Sequence, residues 1–232
     1  MKHSGRARGA AFKLLLISLI LGFLIWALIA VISVIGTILS AVAVPVLLVL
    51  WVLFSLFTLY FFRDPTPHVP TGANLVVSPG HGKIDVIDTT TEPLVIGGEC
   101  KRVSMFLSVF DVHVQNAPIT GRVSFFKYSM GEFLNALKTE SALHNENVLL
   151  GFESSELPGR KLAVRLIAGV IARRIVPFVQ ESEEVKRGER ISLIQFGSRV
   201  DVFLPMDAEI KVALGDHVVG GETILAVFPQ TS

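Results

Sequence analysis

The chain has 232 residues, 51% hydrophobic and 18% charged, with a formal net charge of +1. Its 21 Lys and Arg stand against 20 Asp and Glu, so the basic surplus that a nucleic-acid partner requires is missing and nucleic acid is excluded. The single cysteine, Cys100, excludes an intrachain disulfide, and no Cys/His cluster has metal-ligand spacing, so no metal is expected.

Charge is uneven along the chain. Lys2, Arg6, Arg8 and Lys13 form a basic N-terminus (residues 1–13), and between Lys13 and Arg63 there is no charged residue and no His, Asn or Gln. The apolar run Leu14–Phe62 has 49 residues. As one helix it would extend about 73 Å, against a bilayer core of about 30 Å. Tilting does not absorb that excess, so residues 14–62 are predicted to form a two-span transmembrane hairpin, about 14–34 and 44–62. Its turn would fall near Gly36 to Pro45, where Gly36, Thr37, Ser40 and Pro45 are the available breakers. The run is too long for a signal peptide and shows no cleavage site. No polar face recurs at helical spacing, which argues against an in-plane amphipathic hairpin. The positive-inside rule puts the N-terminus in the cytoplasm, and two spans return the chain to the same side. The expected location is the cell (inner) membrane, with the domain 63–232 on its cytoplasmic face. Tyr60, Phe61 and Phe62 suit an interfacial belt.

From Asn74 onward the pattern is that of a mainly β protein with few short helices. Leu75–Val77, Lys83–Ile87, Val103–Phe110, Arg122–Phe126, Asn147–Phe152 and Lys161–Ile167 are short, rich in β-branched or aromatic residues, and separated by Gly or Pro turns. Ser129–Leu137 reads as a short helix, and Ala168–Arg174 fits helix or strand. The stretch Glu184-Val185-Lys186-Arg187-Gly188-Glu189-Arg190-Ile191 parallels Asp216-His217-Val218-Val219-Gly220-Gly221-Glu222-Thr223-Ile224, with Val at one place and Gly three later. Two unrelated turns would read the same way. The pattern also resembles the half-barrels of biotinyl and lipoyl carrier domains, which implies a barrel-sandwich core of two interlocked halves. The carriers' modified-Lys signature is absent.

Near the C-terminus, Phe196-Gly197-Ser198-Arg199 lies between the apolar run Ile191, Leu193, Ile194 and the alternating run Val200, Val202, Leu204. A Gly-Ser bond between two strands can be an ordinary bulge. It can also be strained, with the Ser hydroxyl placed to attack the preceding carbonyl.

Wider context favours the second reading. Arg173-Arg174-Ile175-Val176, Glu184 to Arg190, and Phe196-Gly197-Ser198-Arg199-Val200-Asp201-Val202-Phe203-Leu204-Pro205 resemble the C-terminal signature of phosphatidylserine decarboxylases, in their short form. Phe61-Phe62-Arg63-Asp64-Pro65, Val77-Ser78-Pro79-Gly80-His81-Gly82-Lys83, and Phe106 to Val114 followed by Ala117-Pro118 resemble three further motifs of that family, in order. The resemblance spans roughly Phe61 to the C-terminus.

It implies a membrane-anchored proenzyme that cleaves itself at Gly197-Ser198 into Met1–Gly197 (β chain) and Ser198–Ser232 (α chain), which stay associated. It also implies a pyruvoyl group, derived from Ser198 and covalently held there. This group would form a Schiff base with phosphatidylserine and yield phosphatidylethanolamine and carbon dioxide. An electron sink is needed because no standard side chain delocalises the carbanion left by decarboxylation. His113, in the family's histidine motif, is expected to serve the substrate carboxylate or to protonate the carbanion, since imidazole titrates near working pH.

The chain departs from the family at His81, where Asp usually serves as base for self-cleavage. A His could still take the Ser198 proton, but it cannot stabilise an imidazolium as Asp would. The second His of longer members is Asn116 here, so their relay does not transfer. Asp111 and His144 are candidate substitutes. Lys101, Arg102, Arg122, Lys127, Arg173 and Arg174 are candidate contacts for lipid phosphate, or solvated surface charge. The expected partners are the phospholipid substrate and the bilayer that holds it; a homo-oligomer is allowed and not specified. Two other functions fit: the same chemistry on an archaetidylserine-type lipid, and an inactive or non-enzymatic barrel-sandwich membrane adaptor.

Overall fold

The computed structural model describes residues 6–131, 145–169, 174–194 and 198–229. It divides into two compact units, Met1–Thr58 and Leu59–Ser232.

The first unit is helical. A single helix, α1 (Arg6–Phe61, 56 residues), runs through it and ends in the second unit. From Leu16 to Leu56 its large apolar side chains are exposed, and Leu16–Phe61 is long and apolar enough to cross a membrane. The two-span hairpin expected from the sequence is not what the structure has: Gly36 to Pro45 stay helical. Pro45 removes one backbone hydrogen bond, a local cost of about 3 kcal/mol. The hydroxyls of Thr37 and Ser40 donate to the carbonyls of Ser33 (2.8 Å) and Thr37 (2.9 Å), so they follow the helix and do not divert it. The residues that could break the run are too weak to do so by themselves, because bilayer thickness is not encoded in local propensity.

The second unit is mainly β. Its strands are β1 (Leu75–Val77), β2 (Gly82–Glu92), β3 (Gly98–Leu107), β4 (Val114–Asn116), β5 (Gly121–Ser129), β6 (Asn147–Ser154) and β7 (Lys161–Ala168). They continue with β8 (Ile175–Pro177), β9 (Glu184–Val185), β10 (Arg190–Ile194), β11 (Ser198–Leu204), β12 (Glu209–Ile210), β13 (His217–Val218) and β14 (Ile224–Val227). An eight-stranded sheet has the order β13-β2-β3-β11-β7-β6-β5-β9, and two three-stranded sheets have the orders β1-β14-β12 and β4-β10-β8. The main core lies on one face of the large sheet, built from residues such as Met105, Leu107, Leu150, Val164, Leu166, Val200 and Val202.

All six runs read as strands are strands. The third ends at Leu107, not Phe110, because the Asp111 carboxylate accepts from the Ser108 backbone N–H at 2.8 Å and turns the chain. Of the helix read at Ser129–Leu137, Ser129 closes β5, residues 130–131 are not helical, and the rest lies outside the described residues. Ala168 closes β7, while 170–173 lie outside them.

The sheet order is palindromic. From one edge it reads β13-β2-β3-β11 and from the other β9-β5-β6-β7. The two segments read as a repeat occupy matching places: β9 edges one half and β13 the other. Gly188 (φ 79°) and Gly221 (φ 74°) make their turns, where a side chain on L residues would be strained. The halves interlock, since β11 follows β10 in sequence but pairs with β3 and β7. Ser198, the first residue of that crossing strand, therefore lies near the centre of the large sheet.

Candidate active site

Ser198 pairs with Leu107 of β3 on one side and with Ala168 of β7 on the other. Alternation along β11 puts its side chain on the face of Val200 and Val202, among the core. It is fully buried, and its hydroxyl has no hydrogen-bond partner among the described residues. Such a group typically costs about 1–3 kcal/mol, and buried orphans of this kind call for a functional explanation.

The segment Ser78–Gly82 crosses the same face. A Cβ on Gly80 would stand 3.3 Å from Met105 Sδ, 3.5 Å from Val200 Cγ2 and 3.7 Å from Leu107 Cδ1. One on Gly82 would be 2.3 Å from the Phe106 carbonyl oxygen, so only glycine lets this backbone lie against β3. His81 sits between these two glycines, half-buried. Burial is the main cause that pushes its pKa down from 6.5 to about 4; Arg63 and His217 also lower it, and Asp111 and Glu222 partly oppose the shift. His81 is thus a neutral imidazole at neutral pH.

His113 reaches the same region by a different route. The loop from Ser108 to His113 is held at both ends: Leu107 pairs with Ser198, and the His113 carbonyl accepts from the Ile194 N–H at 3.1 Å. Those two contacts hold the loop beside Ile194 and Ser198, the described residues on either side of 195–197. Gly197 itself lies outside the described residues. His113 is fully buried, and burial lowers its pKa most; the Asp111 carbonyl and carboxylate oppose, and Arg63 adds to the lowering. Its Nδ1 lies 3.0 Å from the Asp111 carbonyl oxygen. That acceptor assigns the proton to Nδ1. The ring packs on Phe61, with centroids 4.3 Å apart.

Asp111 connects the group. Its Oδ2 accepts from the Ser108 backbone N–H and hydroxyl, both at 2.8 Å, and its Oδ1 lies 3.0 Å from His217 Nε2. Asp111 and Arg63 each act electrostatically on both His81 and His113, so these four side chains share one neighbourhood. Asn116 donates to the Gly188 carbonyl at 2.8 Å, a structural bond in place of a second imidazole.

A buried serine at a strand start, flanked by two loops that each carry a neutral imidazole, is an arrangement for activating a hydroxyl nucleophile. The family model described as phosphatidylserine decarboxylase matches residues 54–226. The chain belongs to the phosphatidylserine decarboxylase family. It is 44% identical over 166 residues to the phosphatidylserine decarboxylase proenzyme of Desulfotalea psychrophila, covering 72% of this chain and 77% of that protein. The proenzyme of that name from Rickettsia bellii is 44% identical over 172 residues, covering 73% and 74%. That of Wolbachia pipientis wMel is 44% identical over 171 residues, covering 72% and 74%. Among solved structures, glucose permease IIA from Mycoplasma capricolum gives a TM-score of 0.34 at 12% identity over 66% of this chain and 94% of that one, a likeness too distant to bear on fold or function.

The structure gives the Phe61-Phe62-Arg63-Asp64-Pro65 motif a physical meaning that the sequence alone did not. Phe61 packs on His113, Arg63 Nη2 donates to the Phe110 carbonyl at 2.6 Å, and Asp64 pairs with Arg190 at 2.6 Å. Sequence reading also missed His217, whose only signal was its place in the repeat. It missed Asp85 too, which stands at a β-bulge between Ile84 and Val86 and accepts both Arg199 terminal nitrogens at 2.8 and 2.9 Å.

Four of the cations considered for lipid phosphate, Lys101, Arg102, Arg122 and Lys127, lie away from this site. Lys101 donates to the Ala208 carbonyl and Arg102 pairs with Asp88. Arg122 and Lys127 lie on β5, three strands from β11. Arg173 and His144 lie outside the described residues. Also among the described residues, no cluster of three or more His, Cys, Asp or Glu is placed to hold a metal ion.

Proposed function

We propose that this chain is a proenzyme that cleaves itself at Gly197–Ser198 and then decarboxylates phosphatidylserine to phosphatidylethanolamine and carbon dioxide. The observation that carries the reading is the Ser198 hydroxyl: fully buried, without a partner among the described residues, and bordered by the loops of His81 and His113.

In self-cleavage, His81 takes the Ser198 hydroxyl proton while Oγ adds to the Gly197 carbonyl carbon. The peptide C–N bond breaks and an ester forms. Loss of the Ser198 α-hydrogen with the Gly197 carboxylate as leaving group gives an enamine, and its hydrolysis releases ammonia and leaves a ketone on the new N-terminus. The residues present fit such a group: a ketone there replaces an orphaned hydroxyl amid the apolar Leu107, Ala168 and Val200. A pyruvoyl group supplies the electron sink that side chains lack. Around it, His113 holds or moves the proton, either at the substrate carboxylate or onto the α-carbon once carbon dioxide has left. Phe61 and the buried walls keep water from that imidazole.

After the cut, Met1–Gly197 and Ser198–Ser232 stay together because β11 lies between β3 and β7, and β14 pairs with β1. A diacyl substrate stays in the bilayer, which gives α1 its purpose. Because its apolar length is more than twice the roughly 30 Å hydrocarbon core, the bilayer folds it back near Gly36–Pro45. The N-terminus and the β domain then share the cytoplasmic face of the inner membrane. No metal takes part in the proposed chemistry.

Intact mass of the purified protein is the test. The expected result is a small chain of about 4 kDa (roughly 35 residues) with a blocked N-terminus, lost in Ser198→Ala. An uncut wild type that still decarboxylates lipid overturns the reading, and chromatography of the products from diacyl and ether-linked serine lipids identifies the lipid backbone it accepts.

A further inference from the structure

Phe110 is 64% exposed, yet its backbone carbonyl is held by two side chains. Its carbonyl accepts from Arg63 Nη2 at 2.6 Å and from the Tyr60 hydroxyl at 3.3 Å. Its turn is closed by the Asp111 N–H on the Ser108 carbonyl at 3.0 Å and by the Asp111 carboxylate on Ser108. One exposed aromatic is ordinary on a protein surface, but several apolar tips gathered with cations at one edge mark an interaction site.

A second loop repeats the pattern. Leu214 is also 64% exposed, in the turn between β12 and β13 that leads to His217. His217 reaches Asp111, one residue from Phe110, so both loops converge on one carboxylate. Cations stand beside the apolar tips. Arg63 lies over the Tyr60 ring at 4.0 Å, and Lys83 is exposed opposite His217, alongside the Leu214 turn. The nearby acids are engaged within the domain: Asp64 with Arg190, Asp216 with the Ala213 N–H, and Glu222 with the His68 N–H.

The location names the partner. Tyr60 and Phe62, 47% and 40% exposed, end the apolar run from which the chain enters this domain. The residues that clamp Phe110 are therefore those at which the chain leaves the lipid. We propose that Phe110 and Leu214 are a pair of interfacial wedges that sink into the surface of an anionic bilayer, with Arg63 and Lys83 at its phosphates. Aromatic and aliphatic tips at acyl depth with cations at headgroup level are the chemistry of interfacial binding. The turn so held lies between Leu107, the pairing partner of Ser198, and His113, so the wedges would set the site at the lipid boundary. This inference rests on the membrane reading of α1 and not on the decarboxylase chemistry.

Depth-dependent fluorescence quenching tests it. The full chain is placed in nanodiscs of phosphatidylcholine and phosphatidylglycerol, with an environment-sensitive fluorophore at single introduced cysteines; native Cys100 is buried and contributes little labelling. Phe110→Cys and Leu214→Cys report the wedges. Leu94→Cys, in the turn at the opposite end of the β2–β3 hairpin, is the exposed control, and Ile32→Cys reports α1. The expected result is a blue shift and quenching by lipids with a nitroxide high on the acyl chain at 110 and 214, and neither at 94. Quenching at 32 without quenching at 110 overturns the wedge while leaving the anchor intact. A blue shift at 110 without nitroxide quenching means that protein, such as a second copy of this chain, covers the residue, and also overturns it. Absence of quenching at 32 removes the membrane reading and this inference with it.

Discussion

The Phe61 ring lies 4.3 Å from the His113 imidazole, centroid to centroid, and both side chains are fully buried. The last residue of the long apolar helix thus forms a wall of the candidate proton-transfer residue. Phe61→Ala should cost about 3–5 kcal/mol of stability, as large-to-small changes at buried aromatics do. It should also let water reach His113 and raise its lowered pKa toward the ordinary value. Phe61→Leu should keep more of both. Urea titration reads the first effect and NMR titration of labelled histidine the second; an unmoved His113 pKa in the Ala variant would show that Phe61 does not shield it.

His81 yields a pH prediction. Its folded pKa of about 4 is below the ordinary 6.5, so the unfolded chain takes up this proton first as pH falls. The resulting stability is complete above about pH 6.5 and is lost as pH drops toward 4. Thermal melts from pH 8 to pH 4 should decline over that window, and His81→Asn should flatten the decline.

As the proposed base in self-cleavage, His81 should be essential to it. His81→Ala should slow cleavage by ~10²–10⁴-fold, and His81→Asp should preserve it. In the wild type the rate should stay level through neutral pH, falling only as pH nears 4. Quenched-flow samples of freshly translated precursor on denaturing gels measure this, and normal cleavage of His81→Ala would hand the role to another group.

Arg199 is 1% exposed and bonds Asp85 through both terminal nitrogens and Asp201 through Nε at 3.2 Å. Asp201 is equally buried, and one of its oxygens has no partner among the described residues. Removing the guanidinium leaves that carboxylate uncompensated, so Arg199→Ala should lose about 3–5 kcal/mol. Arg199→Lys should recover only part of this, since an ammonium lacks the fork that meets Asp85. Because Arg199 follows Ser198 on β11, self-cleavage should slow in the same order, as densitometry of the two chains would show.

Topology is tested with cysteines near Ser4 and Thr231 and an impermeant reagent. Neither should label from outside intact cells, and labelling of either one from outside would overturn the folded-back anchor.

Much of this protein was written in local pattern. The uncharged run to Phe62, the six β runs and the Gly197-Ser198 context are all visible as residue order, because hydropathy, alternation and turn chemistry act over a few neighbours. What the sequence could not determine is proximity between distant segments. That His217 meets Asp111, that Phe61 packs on His113, and that a bulge turns Asp85 to Arg199 depend on strand register, which the interlocked halves set only when the whole sheet closes. Local propensity does not decide whether the chain bends at Pro45. A breaker in the sequence was read as a turn, but a proline costs a helix only a few kcal/mol, and the decision to bend belongs to the surroundings of the helix rather than to the residue.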